Sequence, residues 1–193
     1  MIYSPVSPVA PAALLSGLEA YWRRISQLEP VPDRQDVSSD GLDRALPHTF
    51  VLERVAPGVA RFRVAGQALF DLAAAEPRGM PISALFEAGA RSELAERLET
   101  VFAGPSILGC PVRLARGRGR TRGTGQMLCL PLRGPTGAVD RIMGALVLDA
   151  PLPRGGAPLG FAPGPIRCEA VDMQRADAAR PPLRLVVDNS DRR

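Results

Sequence analysis

The sequence predicts an α+β domain built on an antiparallel sheet covered on both faces. Three observations lead there. First, residues 122–150 (RGTGQMLCLPLRGPTGAVDRIMGALVLDA) hold two apolar runs, 127–132 and 142–148, joined by the turn signal Gly134-Pro135-Thr136-Gly137. Second, each run is apolar at both alternating sets of positions. Leu128, Leu130 and Leu132 oppose Met127 and Cys129, and Ile142, Leu146 and Leu148 oppose Met143, Ala145 and Val147. A strand apolar on both sides is covered on both sides. Third, the patterns follow the order helix, two strands, several short helices, three strands.

Residues 1–11 carry three prolines and read as a flexible N-terminus. Leu14, Leu15, Leu18, Trp22, Ile25 and Leu28 recur at helical spacing, which predicts an amphipathic helix over 12–28, stopped by Pro30 and Pro32. Its apolar face needs a cover. One face of the sheet is the natural choice, and a second subunit is the alternative. The linker 29–37 is polar and proline-broken. Ser38 or Ser39 can cap a short helix ending at Leu46, before Pro47. Residues 49–55 and 59–65 predict a hairpin around Pro57-Gly58, with Arg61 and Arg63 on one face and Phe62 and Val64 on the other. Helical turns follow over 67–75 and around Ile82, Leu85 and Phe86, separated by Gly79-Met80-Pro81. A longer helix, 91–103, closes at Gly104-Pro105. A third strand, 107–116, runs into a glycine–arginine loop, 117–125. The two apolar runs supply strands four and five, so the domain spans 12–150. The tail 151–193, rich in Pro, Gly and Arg, is expected to be mostly irregular, with 183–187 as one short strand candidate.

Several of these positions, taken together, resemble a known family. They are Trp22, Pro32 and Arg34, Leu46-Pro47, the run Arg61-Phe62-Arg63-Val64-Ala65-Gly66, Leu69 and Leu72, Gly79 before Leu85, Leu130-Pro131-Leu132, and Gly144. Their order and spacing over 14–150 are similar to a bacterial PAS-like family of small proteins. The resemblance implies a five-stranded antiparallel sheet of order 2-1-5-4-3. Short helices would lie over its concave face and the N-terminal helix on the other. PAS domains sense ligands, bind cofactors or mediate dimerisation, so the fold alone leaves the activity open.

Composition narrows the choice. The 193 residues are 46% hydrophobic but only 5% aromatic, so the core must be aliphatic, and all 24 basic residues are arginine. A net charge of +4 is too small to point to nucleic acid. Cys110, Cys129 and Cys168 are widely spaced, and His48 is the single histidine, so no zinc site of the usual thiolate–imidazole kind is expected. Reduced thiols, the absence of a basic leader and the lack of a long apolar run favour a cytoplasmic protein with no membrane role.

Several constellations have a functional and a plainer reading. Phe50, Leu52, Phe62, Val64, Leu69, Phe70, Leu72, Leu85, Leu130, Leu132 and Leu146 are the candidates for lining a ligand pocket between sheet and helices. Nothing among them is polar enough to orient a ligand, so a packed core is the simpler account. Arg61 and Arg63 are anion-binding candidates that also suit a solvated edge strand. Arg113, Arg116, Arg118, Arg120 and Arg122 would let a hairpin grip phosphates. No aromatic lies among them to stack bases, which makes a solvated hairpin tip the better reading and nucleic acid an unfavoured partner. Leu14, Leu15, Leu18, Trp22 and Ile25 form the helix face available for dimerisation. Residues 66–103 hold no histidine, cysteine or asparagine, so the haem and flavin motifs of PAS proteins are missing and no cofactor is expected. No GxSxG, P-loop or GxGxxG pattern appears, and Asp33 and Asp36 fall in the linker, so no catalysis is expected. The expectation is a non-catalytic sensory or regulatory module. It would be a homodimer with a signalling protein partner and a possible small-molecule ligand. Nucleotide binding by the arginine hairpin and a purely structural dimerisation scaffold are the alternatives.

Overall fold

The computed structural model describes residues 11–27, 29–116, 120–151 and 156–174. Helix α1 (Pro11–Ile25) opens on a proline, whose missing N–H is no loss in a first turn, and ends on Arg23 and Arg24, which suit the negative end of the helix dipole. It lies over the sheet of its own chain. Leu18 and Trp22 are buried, and the Trp22 indole donates to the Pro131 carbonyl on strand four (2.8 Å). Tyr21 ties down the next segment. Its hydroxyl donates to the Ser38 carbonyl and accepts from the Ser38 N–H (3.1 and 2.7 Å). Gly41 lies flat against that ring, where a Cβ would come within 2.1 Å of it.

The linker is more ordered than its composition suggests. Pro30, Val31 and Pro32 are buried, and Asp33 and Asp36 bracket a 3-10 turn (Arg34–Asp36). Ser38 does act as a cap, but for a single 3-10 turn (Ser39–Gly41). A second 3-10 stretch, Asp43–His48, passes through Pro47 and reaches the sheet. His48 is half-buried at its end.

The strands are β1 (Thr49–Ala56), β2 (Val59–Ala65), β3 (Ser106–Arg116), β4 (Arg120–Arg133), β5 (Val139–Leu148), β6 (Leu159–Phe161) and β7 (Arg167–Ala170). All pairings are antiparallel, in the order β2-β1-β5-β4-β3-β6, with β7 also on β3. The expected 2-1-5-4-3 order is therefore present, with two short strands added at the β3 edge. Between β2 and β3 come α2 (Gln67–Ala73), a 3-10 turn (Ile82–Leu85) and α3 (Arg91–Ala103). α3 is clamped to the first hairpin by Glu99, which takes both guanidinium arms of Arg54 (3.0 and 2.7 Å) and the N–H of Gly58 (2.7 Å).

One expectation fails here for a definable reason. The glycine–arginine stretch is mostly strand, not loop: β4 begins at Arg120. Its glycines serve close strand approach. A Cβ on Gly123 would come within 2.4 Å of the Ala150 methyl, and one on Gly125 within 2.3 Å of the Val147 carbonyl oxygen. Within the tail expected to be mostly irregular, 159–161 and 167–170 form the short strands β6 and β7; the candidate strand 183–187 lies outside the described residues.

The sheet divides the core in two. On the side of α2 and α3, Phe50, Leu52, Phe62, Leu69, Leu72, Leu85, Met127, Cys129, Ile142 and Leu146 form one buried cluster with residues of α3. On the α1 side, Leu18, Tyr21 and Trp22 pack with Leu128, Leu130, Leu132, Met143 and Ala145. At the middle of the sheet Gly144 pairs with Phe50, and a Cβ there would come within 2.4 Å of the Phe50 ring and 2.5 Å of the Leu128 carbonyl oxygen. Phe62 meets Phe50 edge to face at 5.9 Å. Gly144→Val is expected to overpack this point and destabilise the protein by about 1–3 kcal/mol. Urea titration checks it, and an unchanged midpoint would show that the ring shifts freely.

Candidate functional site

The predicted pocket residues do not all share one side of the sheet. Phe50, Leu52, Phe62, Leu69, Leu72, Leu85 and Leu146 come together between the sheet and helices α2 and α3. Leu130 and Leu132 instead face α1 on the opposite side, as their alternation with Cys129 requires. Val64 is 47% exposed. The cause is a β-bulge: Val64 pairs with Val51 and Phe62 with Leu52, so Arg63 is the extra residue and Val64 turns to the outer face. Phe70 is half-buried on α2 and outside the cluster. The concavity is occupied at its centre by Phe50 lying over Gly144. At its margin Leu72 and Leu85 border a cleft of about 240 Å3 with Met80, Ala84 and Gly156.

The arginines are engaged within the chain. Arg63 pairs with Glu53, and Arg141 reaches the same carboxylate (2.7 Å). Arg61 donates to the Gly79 carbonyl (2.8 Å). Arg113 pairs with Glu87 and donates to the Phe161 carbonyl (3.2 Å). Arg118 and the side chains of Arg116, Arg120 and Arg122 lie outside the described residues. A polar cleft of about 670 Å3 at the β4–β5 turn is bordered by Glu29, Asp33, Arg34, Arg133 and Arg141. There Arg133 spans Asp33 (3.1 Å) and Glu29 (3.2 Å) and so staples the linker to β4.

The dimerisation face expected on α1 is largely used up inside the chain. Leu18 and Trp22 are buried against the sheet, Leu15 and Ile25 pack at the margin of the same cluster, and Leu14 is half-buried. Among the described residues, exposed large apolar side chains include Leu46, Ile166 and Met173 singly, and three that share β1 and β2. Val55, Val59 and Val64 are 45%, 39% and 47% exposed. Register puts all three on the outer face, because Arg54 turns to α3 while Ala60 and Phe62 turn inward. Sequence alternation made this only the face of Arg61 and Arg63 and assigned Val64 to the other one.

Two thiols are chemically quiet. Burial pushes the Cys110 thiol up to about 11 and the Cys129 thiol well above its usual value. Cys168 is exposed on β7. Among the described residues, no group of three or more His, Cys, Asp or Glu side chains is placed to hold a metal ion. Among them too, no helix is long and apolar enough to cross a membrane.

The profile of the PAS domain family matches residues 12–147. The chain belongs to the PAS domain family. A comparison with the curated proteins finds no match. Similar solved structures include a light-oxygen-voltage domain studied with a flavin analogue (16% identity, 57% of this chain and 83% of that one, TM-score 0.43). Others are an RNA-binding light-oxygen-voltage receptor (18% identity, 76% of this chain and 36% of that one, TM-score 0.38) and the light state of the Aureochrome1 LOV photoreceptor (14% identity, 59% and 90%, TM-score 0.39).

In this PAS domain β7 is joined to α1 by an ion network. Arg167 grips Glu19 with two bonds (2.5 and 2.9 Å) and also pairs with Glu169, which Arg23 contacts at 2.7 Å. The Arg167 guanidinium holds the Glu19 carboxyl below its usual range against an opposing push from burial, with Arg23 adding to it. A depressed folded-state value stabilises the fold above the free glutamate pKa of about 4.3, and that contribution is lost as pH falls through the folded value. Glu19→Gln is therefore expected to lower Tm at pH 7, by a loss of about 1 kcal/mol or less because the network is partly solvated. The gap from the unsubstituted protein should close as pH falls below about 4. Differential scanning calorimetry across pH measures this, and a gap independent of pH would disprove the linkage.

Proposed function

We propose that this PAS domain is a non-catalytic sensory or regulatory module that acts through protein–protein contact, as a homodimer joined through the outer face of β1 and β2. The observation that carries this reading is the row of exposed valines, Val55, Val59 and Val64, on a sheet face that α1 leaves bare. A two-fold contact places the same patch on itself, so it must be self-complementary. Here Glu53 and Arg63 lie on the same face as the valines and provide both signs of charge.

A small ligand or cofactor in the concave core is the less favoured mode of action. Phe50 and Phe62 take up the middle of that space, and the surrounding side chains are apolar. Phosphate capture is likewise disfavoured for the described arginines Arg61, Arg63 and Arg113, each already held by an acceptor of its own chain. Such a module would work in the cytoplasm and pass its signal to a separate protein.

Val59→Asp with Val64→Asp places four like charges across a two-fold contact. The double variant is expected to be monomeric with an unchanged circular dichroism spectrum. Leu18→Asp, by contrast, is expected to unfold the chain. Light scattering on the eluting protein and native mass spectrometry of the same sample read both features of the proposal. A double variant that stays dimeric would refute the interface, and a stoichiometric co-purifying small molecule would refute the ligand-free core.

A further inference from the structure

Among the described residues, the sheet is left open at β7. β7 pairs with β3 from Ala170 opposite Ser106 to Arg167 opposite Gly109, and the Val171 N–H donates to the Pro105 carbonyl (2.8 Å). In an antiparallel ladder of this phase, Arg167 and Glu169 turn their backbone groups to β3, while Cys168 and Ala170 turn theirs away from it. No described strand meets those outward groups, and all four residues of β7 are exposed. The other margins have neighbours: the Gly79–Met80 backbone bonds to Phe62 on β2, and the Glu87 N–H donates to Leu159 on β6.

The two faces of β7 differ in chemistry. Arg167 and Glu169 face α1, where they meet Glu19 and Arg23. Cys168 lies opposite Leu108, a member of the cluster under α3, and so points to the other side together with Ala170 and Ile166. Cys168 and Ile166 are both exposed there. The edge thus offers free backbone groups, charges on one face and small or apolar side chains on the other.

One stretch of the same chain fits that pattern. Residues 183–187 (LRLVV) alternate, with Leu183, Leu185 and Val187 as one set and Arg184 and Val186 as the other. An antiparallel register with Leu185 opposite Cys168 sets Leu183 opposite Ala170, Val187 opposite Ile166 and Arg184 opposite Glu169. Apolar meets apolar on one face, and cation meets anion on the other. A slide of two residues spoils the match: one direction sets Arg184 opposite Arg167, the other Leu183 opposite Asp172. A slide of one residue moves the leucines to the charged face. Residues 171–182 are long enough to reverse the chain, and Pro181-Pro182, which cannot extend a ladder, stand just before the match begins. Strands consecutive in sequence are commonly neighbours in a sheet.

We propose that the outer edge of β7 is the docking site for the chain's own residues 183–187, which pair with it antiparallel with Leu185 opposite Cys168. The docked segment closes this edge to pairing with other chains. It also lies one strand away from the ion network that holds β7 to α1. Nothing in this assignment depends on the β1–β2 face or on the oligomeric state.

The test uses the full chain and its own Cys168, since Cys110 and Cys129 are buried. Directly opposite residues fall within the separation of about 4.4–6.8 Å between Cα atoms that a disulfide accepts. With oxidised glutathione, Leu185→Cys is expected to form a bond from Cys168 to position 185 within one chain, about tenfold or more faster than Val186→Cys forms one to position 186. Peptide mapping by mass spectrometry locates the bond. Equal rates at the two positions overturn the register, and a bond between two chains overturns docking within the chain. Hydrogen exchange gives a reading without cysteine chemistry. Leu185→Pro removes an N–H that faces β7, and exchange at the Cys168 and Ala170 amides is expected to speed up about tenfold or more. Unchanged exchange at both amides overturns the proposal.

Discussion

A strand with no water on either face has to find a cover for each, and β4 and β5 find theirs in distant parts of the sequence. Leu128, Leu130 and Leu132 are sheltered by α1, while Met127 and Cys129 on the same strand are sheltered by the segment that ends in α3. Each buried Leu or Phe contributes about 1.5–3 kcal/mol, so neither layer is dispensable to a domain of this size. The rest of the architecture serves this arrangement. Trp22 fixes the angle of α1 by its bond to the Pro131 carbonyl, and Arg133 pins the crossing linker at the end of the same strand. On the other layer, Glu99 fixes α3 to the first hairpin through Arg54 and the Gly58 N–H.

An open sheet has two edges, and this protein treats them differently. The β2 edge carries Arg61 and Arg63, and its middle is occupied by the Gly79–Met80 backbone, which exchanges hydrogen bonds with Phe62. Charge and partial coverage of this kind discourage strand-to-strand aggregation. The β3 edge is long and almost wholly buried, so it needs a cover of its own. β7 takes 106–109 and β6 takes 112–114, and between them Pro111 has no N–H to satisfy. Residues 159–170 are therefore a structural part of the sheet, and their removal would expose an unpaired apolar edge.

The protein has no lysine, and the fold exploits the forked geometry of arginine repeatedly. Arg54 grips Glu99 and Arg167 grips Glu19 with two bonds each, and Arg141 and Arg133 each bridge two carboxylates. These pairs join elements that are far apart in sequence: α1 to β7, the linker to β4, α3 to β1. Most of the described arginines are thereby held by acceptors of their own chain, which is why a count of basic residues is a poor guide to a partner.

The sequence by itself determined the elements whose signals are local. The α3 span, with its glycine and proline stop, the β1–β2 hairpin around Pro57-Gly58, and the two-sided burial of β4 and β5 are all readable from periodicity and turn chemistry. The order of patterns, with the spacing of residues such as Trp22, Gly79 and Gly144, was sufficient for the family and hence the strand order. Tertiary structure alone decided the rest, because each of those features depends on a neighbour far away in the chain. Val64 changes face through a bulge that no alternation predicts. Gly123 and Gly125 look like loop residues until β5 and the chain just beyond it are seen pressed against them. Leu18 and Trp22 could cover either the sheet or a second subunit until the sheet beneath them is placed. β6 and β7 are too short to carry a period and exist only because β3 has an edge to complete; a strand's last hydrogen-bonding partner is fixed by geometry across space, and that distance is not written in local sequence.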